Sequence, residues 1–386
     1  MSWNKSSTSI IIEAFDTLFF RDGRPFSMGD ETWADGTFPP SPSVVYGALR
    51  TGYLTQHIDE LTKVATVADL TAALVIMAMF YRIMPGNISC FPAPLDLVER
   101  TDKNDEIRLK ESSEKRYSVE LLSLKLQNRG CSSLDERLHM LKTDNRVEPV
   151  EMGLMAKSDL ITYLKNGSQV ISGFSYKVRK LSDYICSESK VGIGRDDQTR
   201  TSGDTGKLYR VGMVRPSSRG SGTRIDLAVV YDKLTIPDSG ILRMGAEGKC
   251  VAYRLGEMPE FNISELRHSE SRRFKLYLMT PAIFDKGWVA DWMLKGAYND
   301  IRFELIGAAI GRPLHLGGFD MKHGKPKSMK RAVPAGSVYY FELKEEVTVG
   351  ACFDQLSEAF HCKSIADPAF CNSKEGYGIT LLGIGK

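Results

Sequence analysis

A strand-like apolar run that passes straight into a charged, glycine-containing turn occurs twice in this chain, and it constrains the fold more than any other feature. The first copy is "IIIEAFDTLFFRDG" and the second "KLYLMTPAIFDKG". Each turn holds an aromatic residue, an aspartate and a glycine: Phe20, Asp22 and Gly23 in one, Phe284, Asp285 and Gly287 in the other. In the first copy Ile10, Ile12 and Ala14 alternate with Ile11 and Glu13, which predicts a strand over residues 8 to 15. Pro and Ser then precede a helical pattern through Val45, Leu49 and Tyr53, with Ser43 as the expected N-cap. In the second copy Phe274, Leu276 and Leu278 alternate, Pro281 and Gly287 mark a turn, and an amphipathic segment follows within residues 272 to 293. Strand, loop, helix, twice over, predicts two copies of a small α+β unit rather than one large sheet. A chain of 386 residues has room for two domains at roughly 100–200 residues each.

The longest apolar stretch, "LTAALVIMAMFYRIM" (70–84), is interrupted by Arg82 and stopped by Pro85. It falls short of the ~20 residues needed to cross a bilayer, so it reads as core and predicts no membrane partner. The opening "MSWNKSSTS" lacks the basic, apolar and small-residue order of a signal peptide, and the seven cysteines are scattered without CxxC pairs. Both point to a reduced, cytoplasmic setting.

The formal net charge is only +3, but it is unevenly spread. From Lys190 to Arg224 eight basic residues (Lys190, Arg195, Arg200, Lys207, Arg210, Arg215, Arg219, Arg224) face three acidic ones (Asp196, Asp197, Asp204), with seven glycines between them. "MKHGKPKSMKR" (321–331) adds Lys322, Lys325, Lys327, Lys330 and Arg331 with no acid. Basic loops of this kind suit a phosphate backbone, because each neutralised phosphate releases counterions. They are equally compatible with solvated surface loops. By contrast, residues 99–116 balance six acids with six bases, hold almost nothing apolar, and read as an exposed insertion.

No catalytic constellation stands out. The histidines His57, His139, His268, His315, His323 and His361 form no HxH, HExxH or HD pattern. Cys352, His361, Cys362 and Cys371 fall within twenty residues, without the two-to-four-residue intervals of a zinc site, so neither metal nor cofactor is expected. "GAEGKC" fails as a phosphate loop: Arg243 stands where the first glycine belongs and Cys250 where Ser or Thr belongs.

The segments "IIIEAFDTLFFRDGRPF", "FPAPLDLV", "KLYLMTPAIFDKGWVADW" and "KSMKRAVPAGSVYYFEL", together with "VGIGRDDQTRTSGDTGKLY", closely resemble the RAMP proteins that form the third subunit of the Cmr module in type III-B CRISPR systems. The resemblance runs from residue 10 to residue 343 and weakens over 99–116 and parts of 117–185. It implies an α+β fold of two ferredoxin-like RAMP units with insertions and a basic thumb hairpin. The expected division is 1–262, carrying the charged loop 99–116 and the hairpin 191–215, and 263–386. The implied role is non-catalytic: binding the 5′ tag of the crRNA beside the large polymerase/cyclase subunit and other RAMP subunits, with target RNA nearby.

Under that resemblance Gly23 lets the backbone approach RNA while Arg21 and Arg24 offer forks to phosphate. The alternative is a tight turn with Asp22 accepting backbone hydrogen bonds. Arg195, Arg200 and Lys207 line the hairpin tip, and Tyr209 either stacks on a base or packs in the core. Lys325, Lys327, Lys330 and Arg331 form the second basic candidate. Gly376 and Gly378 either present amides to phosphate or bracket the last strand. Two further roles stay open: a RAMP-type crRNA-processing endoribonuclease, although no histidine lies between residues 8 and 50, and a scaffold that touches only proteins.

Overall fold

The computed structural model describes residues 6–21, 33–59, 71–100, 117–121, 123–125, 138, 140–142, 146–166, 176–193, 199, 201, 208–218, 222–320, 325–368 and 373–385. The expected insertion therefore lies mostly outside the described residues.

Three sheets carry the architecture of a mixed α/β protein rich in strand. The largest is built from β1 (Thr8–Ala14), β3 (Val75–Met84), β4 (Ile88–Pro92), β5 (Leu97–Arg100), β6 (Tyr117–Leu121), β7 (Val147–Pro149), β8 (Gly153–Ala156), β9 (Tyr176–Lys180), β12 (Arg224–Asp232), β13 (Ser239–Arg243) and β14 (Cys250–Leu255). Its order is β13-β14-β1-β12-β3-β4-β8-β9-β6-β5-β7, antiparallel throughout. A small sheet holds β2 (Trp33–Asp35), β10 (Cys186–Ile193) and β11 (Leu208–Arg215) in the order β10-β11-β2. The third contains β15 (Arg273–Leu278), β16 (Ile301–Ala309), β17 (Val338–Leu343) and β18 (Ile379–Ile384), ordered β16-β17-β15-β18 and extended at its edges by Ala297–Tyr298 and Lys363–Ser364.

The layers follow from the period-2 alternation of the strands. On one face of the large sheet Ile10, Ile12, Leu227 and Val229 pack against Val45, Ala48 and Leu49 of α1 (Pro42–Gln56). Each fully buried aliphatic side chain of this kind contributes about 1.5–3 kcal/mol. Ser41 is the N-cap residue, one step before a proline fixed at the helix start, and Ser43 lies inside the first turn. The sequence expectation for the cap was thus displaced by Pro42, whose ring is pre-set for the first helical position. Ser43 instead accepts a hydrogen bond from Tyr377 Oη at 3.1 Å.

Residues 74–84 of this run are largely core, as its composition predicts, chiefly as the ten-residue strand β3 (Val75–Met84) between β12 and β4. Arg82, which broke its apolar character, is only 5% exposed; it donates to Ser89 Oγ at 2.6 Å and pairs with Glu257 at 3.0 Å. Ala78 and Phe80 of β3, with Ala228 and Val230, face a second core shared by both large sheets, which Tyr277, Ile306, Val338, Tyr340 and Leu381 fill from the other side. Helix α2 (Lys157–Lys165) inserts Leu160, Tyr163 and Leu164 into the same core. On the far face of the third sheet, Phe274, Leu276 and Phe341 pack against Met293 of the helical turn Asp291–Lys295 and against Phe353, Leu356 and Phe360 of α3 (Phe353–Phe360).

A polar knot sits in the shared core. Asp96 has no exposed surface, and its carboxylate accepts Tyr163 Oη at 3.0 and 2.9 Å and a further hydrogen bond from Tyr340 Oη. Burial, with the Asp96 charge adding to it, pushes both phenols well above their ordinary pKa, so they stay protonated donors. Lys275, equally buried, donates to the carbonyls of Tyr163 (2.8 Å) and Asn166 (3.3 Å) and lies 3.5 Å from the Tyr163 ring centroid.

Replacing Tyr340 by Phe removes one donor to a buried carboxylate while keeping the ring. Urea unfolding should show a loss of about 1–3 kcal/mol, the cost of under-satisfying a buried polar group. An unchanged midpoint would mean that the knot does not hold the sheets together.

Candidate nucleic-acid interface

The charged turn after β1, the root of the basic hairpin and the glycine loop before β14 are distant in sequence and adjacent in space. The hairpin forms because β10 and β11 pair over their full length, from Cys186 with Arg215 to Ile193 with Leu208. The turn clips onto it: Leu18 and Val214 exchange both backbone hydrogen bonds, at 2.7 and 2.9 Å, and Gly36 N–H donates to Gly212 O at 2.8 Å. β2 adds to β11 in parallel, with Trp33 opposite Arg210. The loop Met244–Lys249 closes from the other side, where Ala246 N–H donates to Phe19 O at 2.9 Å. Gly245 has φ +93°, and a Cβ there would come within 2.8 Å of Phe19 O, so this contact requires glycine.

An ion cluster ties the three segments. Asp16 pairs with Arg215 at 2.9 Å and with Lys249 at 3.1 Å, while Arg215 also grips Glu188 bidentately, the longer contact at 3.0 Å. Lys249 donates to Thr17 Oγ1 at 3.1 Å as well. The Asp16 carboxyl is held down to about 2, chiefly by the Thr17 backbone N–H and then by Lys249. Sequence reading missed Asp16, Glu188 and Lys249, because nothing local marks residues 233 positions apart as partners.

Of the expected site residues, Arg21 is exposed and bridged to Gly36, which places it beside the hairpin. Tyr209 is half-buried among Phe19, Val211 and Met213, and its ring tip covers Gly192, where a Cβ would come within 2.2 Å of Cζ. Packing is thus the role the structure displays for Tyr209. Gly23, Arg24, Arg195, Arg200 and Lys207 lie outside the described residues.

The second basic cluster is elsewhere on the chain. Lys325, Lys327 and Arg331 are exposed and Lys330 half-buried; Lys325 lies in a short strand paired with Phe319–Asp320, and Lys330 and Arg331 in one paired with Leu314–Leu316. Lys327, Lys330 and Arg50 of α1 gather around Glu375, whose pKa burial raises against their pull. Gly376 and Gly378 are buried instead of facing outward. Gly378 N–H donates to Pro281 O at 2.7 Å, Gly376 O accepts from Thr280 Oγ1 at 2.7 Å, and both have positive φ against close neighbours. The two glycines lead into β18 with these backbone groups already engaged in packing, in place of the outward-facing amides that phosphate binding would use.

The cysteine and histidine cluster is also internal. Burial holds the His361 imidazole down to about 4 and pushes the Cys362 thiol up to about 12, while His361 Nδ1 accepts the Leu382 N–H at 3.4 Å. Cys371 lies outside the described residues. Among the described residues no three His, Cys, Asp or Glu side chains converge as metal ligands, and no helix is long and apolar enough to cross a membrane.

A family model described as CRISPR-associated protein (Cas_Cmr3) matches residues 10–383. A chain of the type III-B Cmr-beta complex, solved by cryo-electron microscopy with cognate target RNA and AMPPnP, shares the fold at a TM-score of 0.50 and 14% identity, covering 96% of this chain and 94% of its own length. A chain of the same complex with cognate target RNA alone gives 0.45 and 16%, covering 86% of each. No curated protein sequence matches significantly.

His361 yields a pH test. Its folded-state pKa lies below the ordinary 6.5, so between about 6.5 and 4 the unfolded chain binds more protons and stability falls as the pH drops. A full shift of this size corresponds to roughly 3 kcal/mol. Denaturant unfolding across that range should show this acid loss in the parent and a flatter profile in His361→Gln; identical slopes would remove His361 as its source.

Proposed function

The chain belongs to the CRISPR-associated Cmr3 family, and from that premise we propose that it is a non-catalytic, RNA-binding subunit of a type III-B effector complex, one that holds the 5′ tag of the crRNA. The observation that carries the proposal is the convergence of three loops, the Phe19–Arg21 turn, the hairpin root and the Met244–Lys249 loop, at the base of a hairpin whose tip is rich in arginine and lysine. A phosphate chain laid across this end would meet Arg21, and the neighbouring stretches of sequence supply Arg24, Arg195, Arg200 and Lys207 as further phosphate partners in this reading. The described part of the hairpin leaves Lys190 and Arg210 exposed on either side.

The architecture supports reading the chain as two ferredoxin-like RAMP units, 1–262 and 263–386. In the third sheet the order β18-β15-β17-β16, with a helix after its first and third strands, is that of a βαββαβ unit. In the large sheet β14-β1-β12-β3 repeats the order, with α1 after the first strand and the strand β13 where the second helix would stand. The large polymerase/cyclase subunit and other RAMP subunits are the protein partners in this reading, with target RNA alongside and the cytoplasm as the setting. The lysines around Glu375 form a second surface for the same polyanion.

Incubating the purified chain with tagged single-stranded RNA should give a complex with the RNA intact. Specific cleavage that survives stringent purification would overturn the non-catalytic role. Replacing Arg195, Arg200 and Lys207 together by alanine should weaken binding and reduce the slope of log affinity against log salt by roughly 0.7 per lost phosphate contact. A parent that binds no RNA, or a triple variant with the parental slope, would count against the hairpin as the site.

A further inference from the structure

Arg82 carries its charge into the middle of the large sheet, and the contacts around it leave that charge half met. It lies in β3 between β12 and β4, with 5% of its surface exposed. Its Nη1 donates to Ser89 Oγ at 2.6 Å and its Nη2 to Glu257 Oε2 at 3.0 Å, while its Nε, also buried, meets no acceptor among the described residues. Asp226, directly across the ladder, has its carboxylate engaged by Arg224 at 3.1 Å. A guanidinium stays charged in any protein setting, and its side-on edge, Nε with Nη2, is shaped for both oxygens of one carboxylate. Glu257 places one oxygen on that edge, from a side chain that is 78% exposed. Its segment is held over the sheet by other bonds: Gly256 N–H donates to Ser9 O at 2.9 Å and Ser9 Oγ to Glu257 O at 3.1 Å. The Glu257 side chain is therefore free to leave Arg82 while its backbone stays.

A cavity of about 380 Å³ lies here, walled by Ile11, Met84 and Leu255 and bordered by Arg82, Arg254 and Glu257. Arg254 stands opposite Ile11 in the ladder and is exposed, so a second guanidinium borders the same space. Leu255 is 46% exposed, an apolar wall open to solvent. We propose that this cavity is a docking site for an acidic side chain of a partner protein, whose carboxylate displaces Glu257 and takes the Nε–Nη2 edge of Arg82 while the apolar residues beside it cover Met84 and Leu255. Two arginines against one displaceable glutamate supply the charge complementarity. A phosphate would gain as much from the arginines, but a sugar–phosphate strand has nothing to lay on the apolar walls, and their burial is what a peptide adds. Glu257 is then a placeholder, which keeps a buried charge from standing unpaired until the partner arrives. None of this depends on RNA binding.

The test uses the complete chain and two capped tripeptides, leucine–glutamate–leucine and leucine–glutamine–leucine, titrated while the arginine Nε–Hε signals are followed by NMR. The glutamate peptide should bind and move one buried arginine signal, the one that Arg82→Lys lacks, and the glutamine peptide should bind more weakly. Removing the internal competitor in Glu257→Gln should tighten the glutamate peptide by about tenfold, the size of a charged hydrogen bond. A bracing role for Glu257 would instead lower the thermal midpoint and leave peptide affinity unchanged. Arg254→Gln, at an exposed position, should weaken the peptide and keep the parental midpoint. Equal binding of the two peptides, no binding by the parent and Glu257→Gln alike, or an unchanged affinity in Glu257→Gln overturns the site. Competition by inorganic phosphate or by tagged RNA at the peptide's own concentration would assign the cavity to phosphate and overturn the protein partner. RNA binding without such competition leaves the function proposed above standing whichever way the peptide behaves.

Discussion

The carboxylate of Asp96 is where the two halves of the molecule depend on each other. It comes from the loop before β5, yet its hydrogen bonds come from Tyr163 of α2 and Tyr340 of β17, and Lys275 of β15 closes the arrangement on the Tyr163 ring and carbonyl. A buried carboxylate is tolerable only when its lone pairs are met by donors, and a buried ammonium only when carbonyls or a π face receive it. Both conditions hold here only if the large sheet, α2 and the third sheet occupy one relative position. The apolar residues around the knot supply most of the burial energy, but they would accept small slips between the sheets; the polar contacts would not. The same interface carries Tyr277, whose hydroxyl donates to Pro92 O at 2.6 Å and whose pKa burial raises far above normal.

A fixed body allows the other end to be assembled from loops. The turn after β1, the hairpin root and the glycine loop meet through backbone hydrogen bonds of Leu18, Gly36 and Ala246, which place the strands, and through the Asp16 cluster, which crosses between them. Exposed ion pairs add little stability singly. Their effect here is geometric: Arg215 is held by Asp16 and Glu188 together, so the direction in which the hairpin leaves the body is set at its root.

The parts of this design that were legible in the sequence are those written in short-range pattern. The alternation in β1 and β15 predicted strands and the apolar run containing β3 predicted core, whereas the repeated strand–turn–helix plan predicted small units rather than one large sheet, and the chain instead forms an eleven-stranded sheet because strands far apart in sequence pair into it. The N-cap was misplaced by two residues because Pro42 overrides the preference of Ser43 for the cap. Glycine composition alone could not separate roles. Gly245 is required by close approach to Phe19 O, whereas Gly376 and Gly378 meet buried neighbours, and all three look alike in a one-dimensional string. The Asp16 cluster was invisible for a different reason: its members are ordinary charged residues that acquire partners only through pairings between opposite ends of the first half. Asp96 and Lys275 were hidden in the same way, since a single acid or base beside apolar residues does not announce that it is buried.

The neighbours of β1 in the large sheet are β12 and β14, which begin at Arg224 and Cys250, more than two hundred residues later. As the chain leaves the ribosome, "TSIIIEA" emerges long before either of its pairing strands, and finds neither until residues 224–255 have been made. For that interval its three isoleucines have only α1 and solvent for company. The large sheet can close only late in synthesis, a long-range closure that makes folding slow and leaves an apolar strand open to wrong pairing in the meantime. The first strand of the large sheet is thus paired on both sides only when residue 255 has been delivered, and before that time the sheet cannot exist.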